Sequence, residues 1–295
     1  DLHSFPTRRS SDLEISGIKK AKKKQTYLNT SVGHMYVCTK EGKPSVAKWK
    51  YKHTEITKKP SLAVTNLGAP TRSGTNMTAR WTIPGNLVNN QKCDRATGLN
   101  IYWILGIPGT DPKKTIQTGN EKTTSSTINL NNFVVGKKKY TRNSFYPKSS
   151  KKLSYVAVKV VPKNGKGEGK AASQTRHFNK PRAPVISALT FNNETGVISC
   201  TITTDPGNDF KERCDTKYKM TVKDTRTGKT WAQHDSNSTD TSITLTYNIS
   251  NYQSLGWDDY VQITVKAWAR GYAGDSAVTS REAFVSFPKK TTIGK

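Results

Sequence analysis

Short stretches in which apolar and polar residues alternate make up most of this chain, and helical periodicity is nearly absent. Examples are MTARWTIP (77–84), GLNIYWILGIPG (98–109) and GVISCTITTDPG (196–207). Gly, Pro, Asn and Asp separate the stretches and supply the turns that short strands require. Alternation with a period of two is typical of strands that bury one face. The chain is therefore predicted to be all-β and to form sandwiches.

The second half of the chain repeats the pattern of the first. Segment 153–173 aligns with segment 259–280: in each, a Tyr precedes an alternating apolar strand, a Gly-bearing turn and a Ser/Ala-rich return strand. Two copies of one pattern indicate two domains of one kind. The Pro-containing segment NKPRAP joins them, which places the predicted domains at 59–180 and 181–295.

Both halves resemble fibronectin type III domains, which have an immunoglobulin-like β-sandwich fold. In that family a Tyr opens the sixth strand and a Trp lies in the second strand. Trp81 matches the Trp position in the first half, whereas Cys200 or Ile202 occupies it in the second. The matching sixth-strand and turn residues are Tyr155, Val158, Val160, Gly165, Gly167, Gly169 and Ser173, and then Tyr260, Ile263, Val265, Ala267, Gly271, Gly274 and Ser276.

Residues 26–58 are predicted to form a β-hairpin module, in which two alternating strands flank the turn KEGKP. Tyr36, Trp49 and Tyr51 form its candidate aromatic face. A lone hairpin is marginally stable in water, so the module needs a neighbour, a trimer partner or a ligand. Its sequence pattern resembles short β modules in tail and fibre proteins of bacteriophages.

Two segments precede this module. Residues 14–25, which include KKAKKK, are interpreted as a flexible basic arm. Residues 1–13 have the sequence encoded by a DNA string that resembles the adapter ligated to fragments for short-read sequencing. We therefore expect them to be non-native, disordered and derived from a metagenomic contig, with the true N-terminus at or upstream of Glu14.

The charge is distributed unevenly along the chain. The net charge is +27, and residues 14–60 (12 basic, 3 acidic) and 61–180 (20 basic, 4 acidic) carry nearly all of it. Residues 181–295 hold 14 basic and 12 acidic residues. A field of this kind favours polyanions such as nucleic acid, teichoic acid or acidic glycans. A basic surface that is simply solvated is the alternative.

Motifs that carry chemistry are missing from the sequence. The five histidines have no ligand-like spacing, and G-x-S-x-G, P-loop and H-E-x-x-H patterns do not occur. We predict no catalytic residue, no cofactor and no metal site. No apolar run approaches the roughly 18 residues of a membrane span. The cysteines show no C-x-x-C pair, and a bridge between Cys200 and Cys214 stays open at this point.

A basic insertion is predicted at 134–152, where cations alternate with aromatic side chains. Cations neutralise phosphates and aromatic rings stack on bases or sugars. The alternative is an ordered loop that packs its aromatic residues inward and leaves its lysines in water. The candidate contacts for polyanions or glycans are Lys137, Lys138, Lys139, Tyr140, Arg142, Tyr146, Lys151 and Lys152.

A second candidate contact lies in the last hairpin loop of the second domain, ARGYAGDS (269–276), which presents Arg270 and Tyr272. The resemblances imply a non-enzymatic structural or adhesive protein of a bacteriophage virion, with β-domains that act as spacers or touch the host envelope. Its partners would be other virion proteins, anionic envelope polymers or further copies of itself. The alternatives are a bacterial cell-surface or secreted glycan-binding fragment, and a basic nucleic-acid-binding protein.

Overall fold

In the computed structural model nearly every regular element is a β-strand, which confirms the all-β prediction. The structure describes residues 20–29, 31–43, 46–141, 144, 152–192, 194–204, 213–248 and 260–286. The predicted adapter-derived segment, 1–13, lies outside these ranges. A four-residue helix, α1 (Gly85–Val88), lies among the strands.

The N-terminal module is a three-stranded antiparallel sheet with the order β1-β2-β3. Its strands are β1 (Thr26–Asn29), β2 (His34–Lys40) and β3 (Lys48–Thr54). The two predicted strands are present, and β1 adds a third. Ala21 pairs with Gly42 and is fully buried, so the described end of the predicted flexible arm packs against this sheet. Backbone pairing there corrects the expectation of a free arm for residues 20–25.

The first sandwich consists of two facing sheets and a short hairpin. One sheet has the order β4-β5-β8, and the other has the order β12-β11-β6-β7 with β13 paired to β11. The strands are β4 (Thr71–Ser73), β5 (Asn76–Arg80), β6 (Gly98–Gly106), β7 (Lys113–Asn120), β8 (Ser125–Asn129), β9 (Phe133–Val135), β10 (Lys138–Tyr140), β11 (Tyr155–Asn164), β12 (Gly167–Glu168) and β13 (Ala172–His177).

The second sandwich has the same construction. In one sheet β16 pairs with β14, β15 and β19; the other has the order β18-β17-β20-β21, with β22 paired to β20. The strands are β14 (Val185–Ile186), β15 (Thr190–Asn192), β16 (Val197–Thr203), β17 (Arg213–Asp224), β18 (Thr230–Ser238), β19 (Ser242–Asn248), β20 (Tyr260–Gly271), β21 (Gly274–Asp275) and β22 (Thr279–Ser286).

Strand order identifies the fold of both halves. In each half the middle strand of one sheet, β5 or β16, pairs with the strand before it and with a strand from beyond the next hairpin, β8 or β19. In the opposite sheet β6 or β17 lies between its successor in the chain and the long strand β11 or β20. This is the strand order of the fibronectin type III fold. The predicted fold class, tandem β-sandwiches of this kind after a small β module, is confirmed.

The core of the first sandwich follows directly from the alternation in β6 and β11. Their inward residues are fully buried, and Trp103 lies at the centre with an exposure of 0%. Its indole N–H donates a hydrogen bond of 2.8 Å to the Ser126 hydroxyl on the facing sheet. The inward residues of the two strands are Leu99, Ile101, Trp103 and Leu105, and then Val156, Val158 and Val160.

The second sandwich has a core of its own, in which small and branched side chains dominate. Cys200 is buried between Ile198 and Ile202 along β16, and burial raises the pKa of its thiol. No disulfide joins Cys200 and Cys214, which closes the question of a bridge between them. The segment NKPRAP lies between the end of β13 and the start of β14.

Replacing Trp103 with Ala is expected to lower the free energy of unfolding of the first sandwich by about 3–5 kcal/mol, because a buried ring is removed and a cavity remains. Urea unfolding followed by circular dichroism measures the change. Ile116→Ala is the matched control, since Ile116 lies on β7 of the same sheet and is 55% exposed. An equal loss in the two variants would contradict the central position of Trp103.

Candidate functional site

The aromatic residues of the N-terminal module lie together on one face of its sheet. Tyr36 pairs with Tyr27 on β1 and with Tyr51 on β3, and Cys38 pairs with Trp49. The rings of Tyr36 and Tyr51 are 6.1 Å apart and inclined at 77°, and those of Tyr27 and Trp49 are 6.1 Å apart and inclined at 67°. The three residues predicted as an aromatic face are therefore brought together, and Tyr27 joins them.

His34 also belongs to this face, although the sequence interpretation did not include it. Its ring lies 5.4 Å from that of Tyr51 and 6.2 Å from that of Tyr36, with Nδ1 3.3 Å from the Tyr36 hydroxyl. His34 and Tyr36 are two residues apart in one strand, so the period of two was a signal that could have found it. We call Tyr27, His34, Tyr36, Trp49 and Tyr51 the aromatic face.

Lysines neighbour the aromatic residues along β3, and alternation places Lys48 and Lys50 on the opposite face of the sheet. Lys48, Lys50 and Lys52 alternate with Trp49 and Tyr51 along β3, which is an edge strand, and all three lysines are exposed. Between residues 20 and 58 the sequence holds ten lysines, no arginine and two glutamates, which gives a net charge of +8. Aromatic side chains and a high positive charge therefore occur in one small sheet.

A close backbone contact fixes the module on the end of the first sandwich. Gly33 has φ +72°, and a Cβ at this position would stand 2.4 Å from Cβ of Cys93 and 2.4 Å from the Glu55 carbonyl oxygen. Only glycine leaves room for this approach. The Arg95 guanidinium donates a hydrogen bond of 3.0 Å to the carbonyl of Thr54 at the end of β3. These contacts join the aromatic face to the sandwich.

The loop predicted as a contact in the second domain lies at the joint between the two sandwiches. Tyr272 is 1% exposed and packs in the core of the first sandwich, 5.5 Å from the ring of Phe178. The Arg72 guanidinium lies 4.8 Å from the centre of the Tyr272 ring, and the Tyr272 carbonyl accepts a hydrogen bond from the Leu153 amide. The structure corrects the placement of Tyr272, because its ring fills an internal joint and not a free loop tip.

Arg270 is likewise engaged within the chain. Its Nε and Nη2 atoms donate hydrogen bonds of 2.8 and 2.9 Å to the two carboxylate oxygens of Asp215. The side chains of Arg270 and Asp215 are only 13% and 6% exposed. A buried bidentate pair of this kind orients the loop. The structure therefore corrects the prediction of Arg270 as a contact for an outside partner.

In the described part of the basic insertion the aromatic residue Tyr140 points inward, as the alternative interpretation expects. Lys137, Lys138 and Lys139 are exposed, whereas Tyr140 is buried in the core of the first sandwich. Lys138 Nζ lies 5.3 Å from the centre of the Tyr140 ring. Tyr140 is thus not a surface on which a base or sugar can stack.

The remaining residues of that insertion fall into two groups. Lys152 is exposed, and its aliphatic end lies beside Gly274 at the joint, 3.0 Å from where a Cβ would stand. Arg142, Tyr146 and Lys151 lie outside the described residues. Polyanion contact by the insertion therefore stays a prediction for its exposed lysines.

The outer face of β6 carries a polar network that the sequence interpretation missed. The Tyr102 hydroxyl and the Asn100 amide both donate hydrogen bonds to the Glu168 carboxylate, the latter at 2.6 Å. Lys114 Nζ lies 4.0 Å above the Tyr102 ring and Lys159 Nζ lies 5.9 Å from it. The hydrogen bond from Tyr102 lowers the pKa of Glu168 most, and the bond from Asn100 lowers it further. The Tyr102–Glu168 hydrogen bond also raises the pKa of Tyr102. Alternation within GLNIYWILG places Asn100 and Tyr102 on the outside, which was the available signal.

A metal-ligand cluster and a membrane-spanning helix are both absent from the part of the chain that the structure describes. No group of three or more His, Cys, Asp or Glu side chains there is placed to hold a metal ion. None of the helices in those same ranges is long and apolar enough to cross a membrane.

Comparison with known proteins concerns the fold alone. No protein-family model matches the sequence, and no curated protein matches it. The FN1–FN3 domains of chicken CNTN1 share 13% identity, covering 87% of this chain and 77% of that one, with a TM-score of 0.29. A two-domain fibronectin type III segment of chicken tenascin shares 12% identity, covering 75% and 99%, with a TM-score of 0.31. TM-scores this low do not support an argument from these two structures, and the assignment of the fold therefore rests on strand order.

Replacing Tyr272 with Ala is expected to uncouple the two sandwiches, because the ring that the second inserts into the first is removed. The loss of a buried aromatic side chain costs about 3–5 kcal/mol, and here it lowers the free energy that holds the two sandwiches together. Small-angle X-ray scattering should show a wider distribution of shapes, and calorimetry should resolve two separate unfolding transitions. Val278→Ala, at an exposed position beyond the same hairpin, is the control. Unchanged scattering in Tyr272→Ala would contradict a joint built on this ring.

Replacing Glu168 with Gln is expected to lower stability at neutral pH by about 0.2–1 kcal/mol, the range of exposed charged contacts. The folded carboxyl has a lowered pKa, so its contribution is complete above the unfolded value of about 4.3 and is lost as pH falls through the folded pKa. Thermal melting of the variant and the wild type should therefore converge in acid. Glu121→Gln, in the turn after β7, is the charge-matched control. A difference that persists in acid would contradict this assignment.

Proposed function

We propose that this protein is a non-enzymatic structural or adhesive component of a bacteriophage virion, in its tail or tail fibres. In this proposal the two fibronectin type III sandwiches act as a stiff spacer. The basic N-terminal part contacts anionic polymers of the bacterial envelope or an acidic neighbour in the particle. The protein would then be assembled in the bacterial cytoplasm and act in the virion.

The observation that carries the spacer role is the joint around Tyr272. Tandem domains of a single chain usually meet through modest and polar interfaces and move relative to one another. Here an aromatic ring from one sandwich is buried in the core of the next, and Arg72 covers it. The neighbouring Arg270–Asp215 pair holds the loop that presents this ring. A joint of this type supports a fixed relative orientation of the two sandwiches, which a spacer requires.

The distribution of charge supports contact with an anionic surface. Residues 14–180 carry nearly the whole excess of +27, while residues 181–295 are close to neutral. One end of the tandem is thus suited to attract polyanions, and the other end is suited to neutral contacts. The likeness of residues 26–56 to modules of phage tail proteins favours a virion as the setting.

A non-enzymatic role agrees with the state of a His–carboxylate pair in the described part of the module. His53 Nε2 lies 2.5 Å from Glu55 Oε1, and this contact lowers the pKa of Glu55. The two side chains are 44% and 46% exposed. Acid–base catalysts are usually tuned by a cleft that excludes water, which these groups do not have. They are better suited to fixing the segment that connects the module to the sandwich.

The reading frames on either side of this gene test the virion setting. Tail, portal or lysis genes are the expected neighbours. Sortase or polysaccharide-synthesis genes would contradict the proposal and favour a bacterial cell-surface protein with accessory fibronectin type III domains. Mass spectrometry of particles purified from a host that carries the same gene cluster gives a direct readout, since peptides of this chain should accompany the tail proteins.

A further inference from the structure

Strand β18 (Thr230–Ser238) is paired on one side only within the part of the chain that the structure describes. It stands at the end of the sheet order β18-β17-β20-β21, and its nine residues pair with β17 alone. In an antiparallel sheet alternate residues direct their N–H and C=O groups to opposite sides, so about half of these groups in β18 point away from β17. None of the described residues bonds the outward groups of residues 230–237. An open edge of this length is a template for another strand.

Charged side chains protect three other long edges of the molecule. Natural sheets keep foreign strands away with charged residues at the edge, above all Lys. Strand β7, which holds the position of β18 in the first sandwich, begins with Lys113 and Lys114. It is also tied to the facing sheet, because Gln117 Nε2 donates a hydrogen bond of 3.1 Å to the Thr127 carbonyl. Strand β3 contains three lysines, and β22 contains an Arg and a Glu.

Strand β18 lacks this protection. Its sequence, TWAQHDSNS, contains no Lys, Arg, Glu or Pro. Its single carboxylate, that of Asp235, is already paired with Lys217, whose Nζ lies 3.2 Å from Oδ1. The register with β17 is continuous from Thr216 to Val222, so this part of the edge stays regular. Strand β19, which follows in the chain as an end strand of the facing sheet, also has no charged residue.

The distribution of cations favours this edge as the place where two copies of the chain meet. Lys229 and Lys266 are separated by 36 residues without Lys or Arg, and this stretch contains β18 and β19. Residues 14–180 carry nearly all of the net charge of +27, so copies that met through that part would repel each other. Residues 181–295, with 14 basic and 12 acidic residues, repel only weakly. A second copy can therefore approach at β18 with little electrostatic cost.

Strand β18 is complementary to itself when two copies run antiparallel. The register that uses all nine residues places His234 on a two-fold axis perpendicular to the sheet. It sets the exposed Gln233 opposite the exposed Asp235 of the second copy, on the same face, so that the amide can donate to the carboxylate. No like charges are opposed in this register. The remaining pairs of small side chains are Ala232 with Ser236 and Thr230 with Ser238.

We infer that β18 is a self-association edge, through which two copies of this chain pair antiparallel and join their sheets into one continuous sheet. A symmetric interface of this kind uses the same surface in both copies and closes at a dimer. The dimer carries two basic N-terminal modules, so its contact with an anionic surface would be bivalent. Dimerisation goes beyond the proposed adhesive function and does not depend on the virion setting, because it is a property of the purified chain.

Sedimentation equilibrium of the full chain tests this pairing. The wild type is expected to pass from monomer to dimer over roughly 1–100 μM, the range of a modest interface. Raising the NaCl concentration from about 0.05 to about 0.5 M should strengthen the dimer, because salt screens the repulsion between the basic parts of the two copies. A wild type that stays monomeric throughout this range at the higher salt concentration would refute the inference.

Two substitutions at one exposed position should act in opposite directions. Gln233→Glu sets a carboxylate opposite Asp235 of the second copy, twice in the symmetric pair, and should weaken dimerisation about tenfold. Gln233→Lys sets an ammonium group there and should strengthen dimerisation by a similar factor. Thr118→Glu, at an exposed position of β7 in the first sandwich, is the matched control and should leave the dimer unchanged. Circular dichroism melting establishes that each variant is folded.

Hydrogen exchange of the wild type decides the matter if the variants do not fold. Amides of β18 that point away from β17 should gain protection as the concentration rises through the dimerisation range, whereas those of β7 should not. A dimer that protects other strands and leaves β18 unchanged would overturn the inference. So would a dimer that Gln233→Glu does not weaken, or one that Gln233→Glu and Gln233→Lys weaken equally, because neither agrees with a pair centred on His234.

Discussion

The packing of one β-sheet face to face against another is the interaction on which the rest of this structure depends. In the first half, the inward side chains of β6 and β11 close on the facing sheet around Trp103, whose N–H reaches Ser126 across the core. Removal of this apolar surface from water is the dominant favourable term in folding. The second half repeats the arrangement. Every other feature, including the joint and the aromatic face, is attached to the ends of these two cores.

The N-terminal module and the second sandwich are each attached to the first sandwich by a small number of close contacts at one of its ends. At one end Gly33 lets the module's backbone approach Cys93, and at the other Tyr272 enters the first core from the second domain. Because each contact is buried, a small interface is enough to hold the units together. The result is a chain of β units in which the order along the sequence is also the order of contact, consistent with the spacer role proposed above.

Charge and aromatic surface are concentrated at the N-terminal end of this series. The second sandwich is nearly neutral, whereas the module combines +8 with five partly exposed rings. In the first sandwich, by contrast, the aromatic residues near lysines make contacts within the domain: Tyr140 is buried, and Tyr102 donates a hydrogen bond to Glu168 and lies beneath Lys114. The lysines there pack over these rings. This contrast directs the proposed adhesive contact to the module.

The sequence by itself determined the strands, the two related sandwiches and the aromatic face of Tyr36, Trp49 and Tyr51, because a period of two fixes which side chains share a face once a strand forms. It did not determine β1, whose four residues are too few to show a period. Only the tertiary structure decided that Tyr272 is buried and that Arg270 pairs with Asp215. Both positions occur in a turn pattern typical of an exposed hairpin tip, and their burial comes from a neighbouring domain that is distant in sequence. Local patterns report local faces; contacts between domains depend on how whole sandwiches meet.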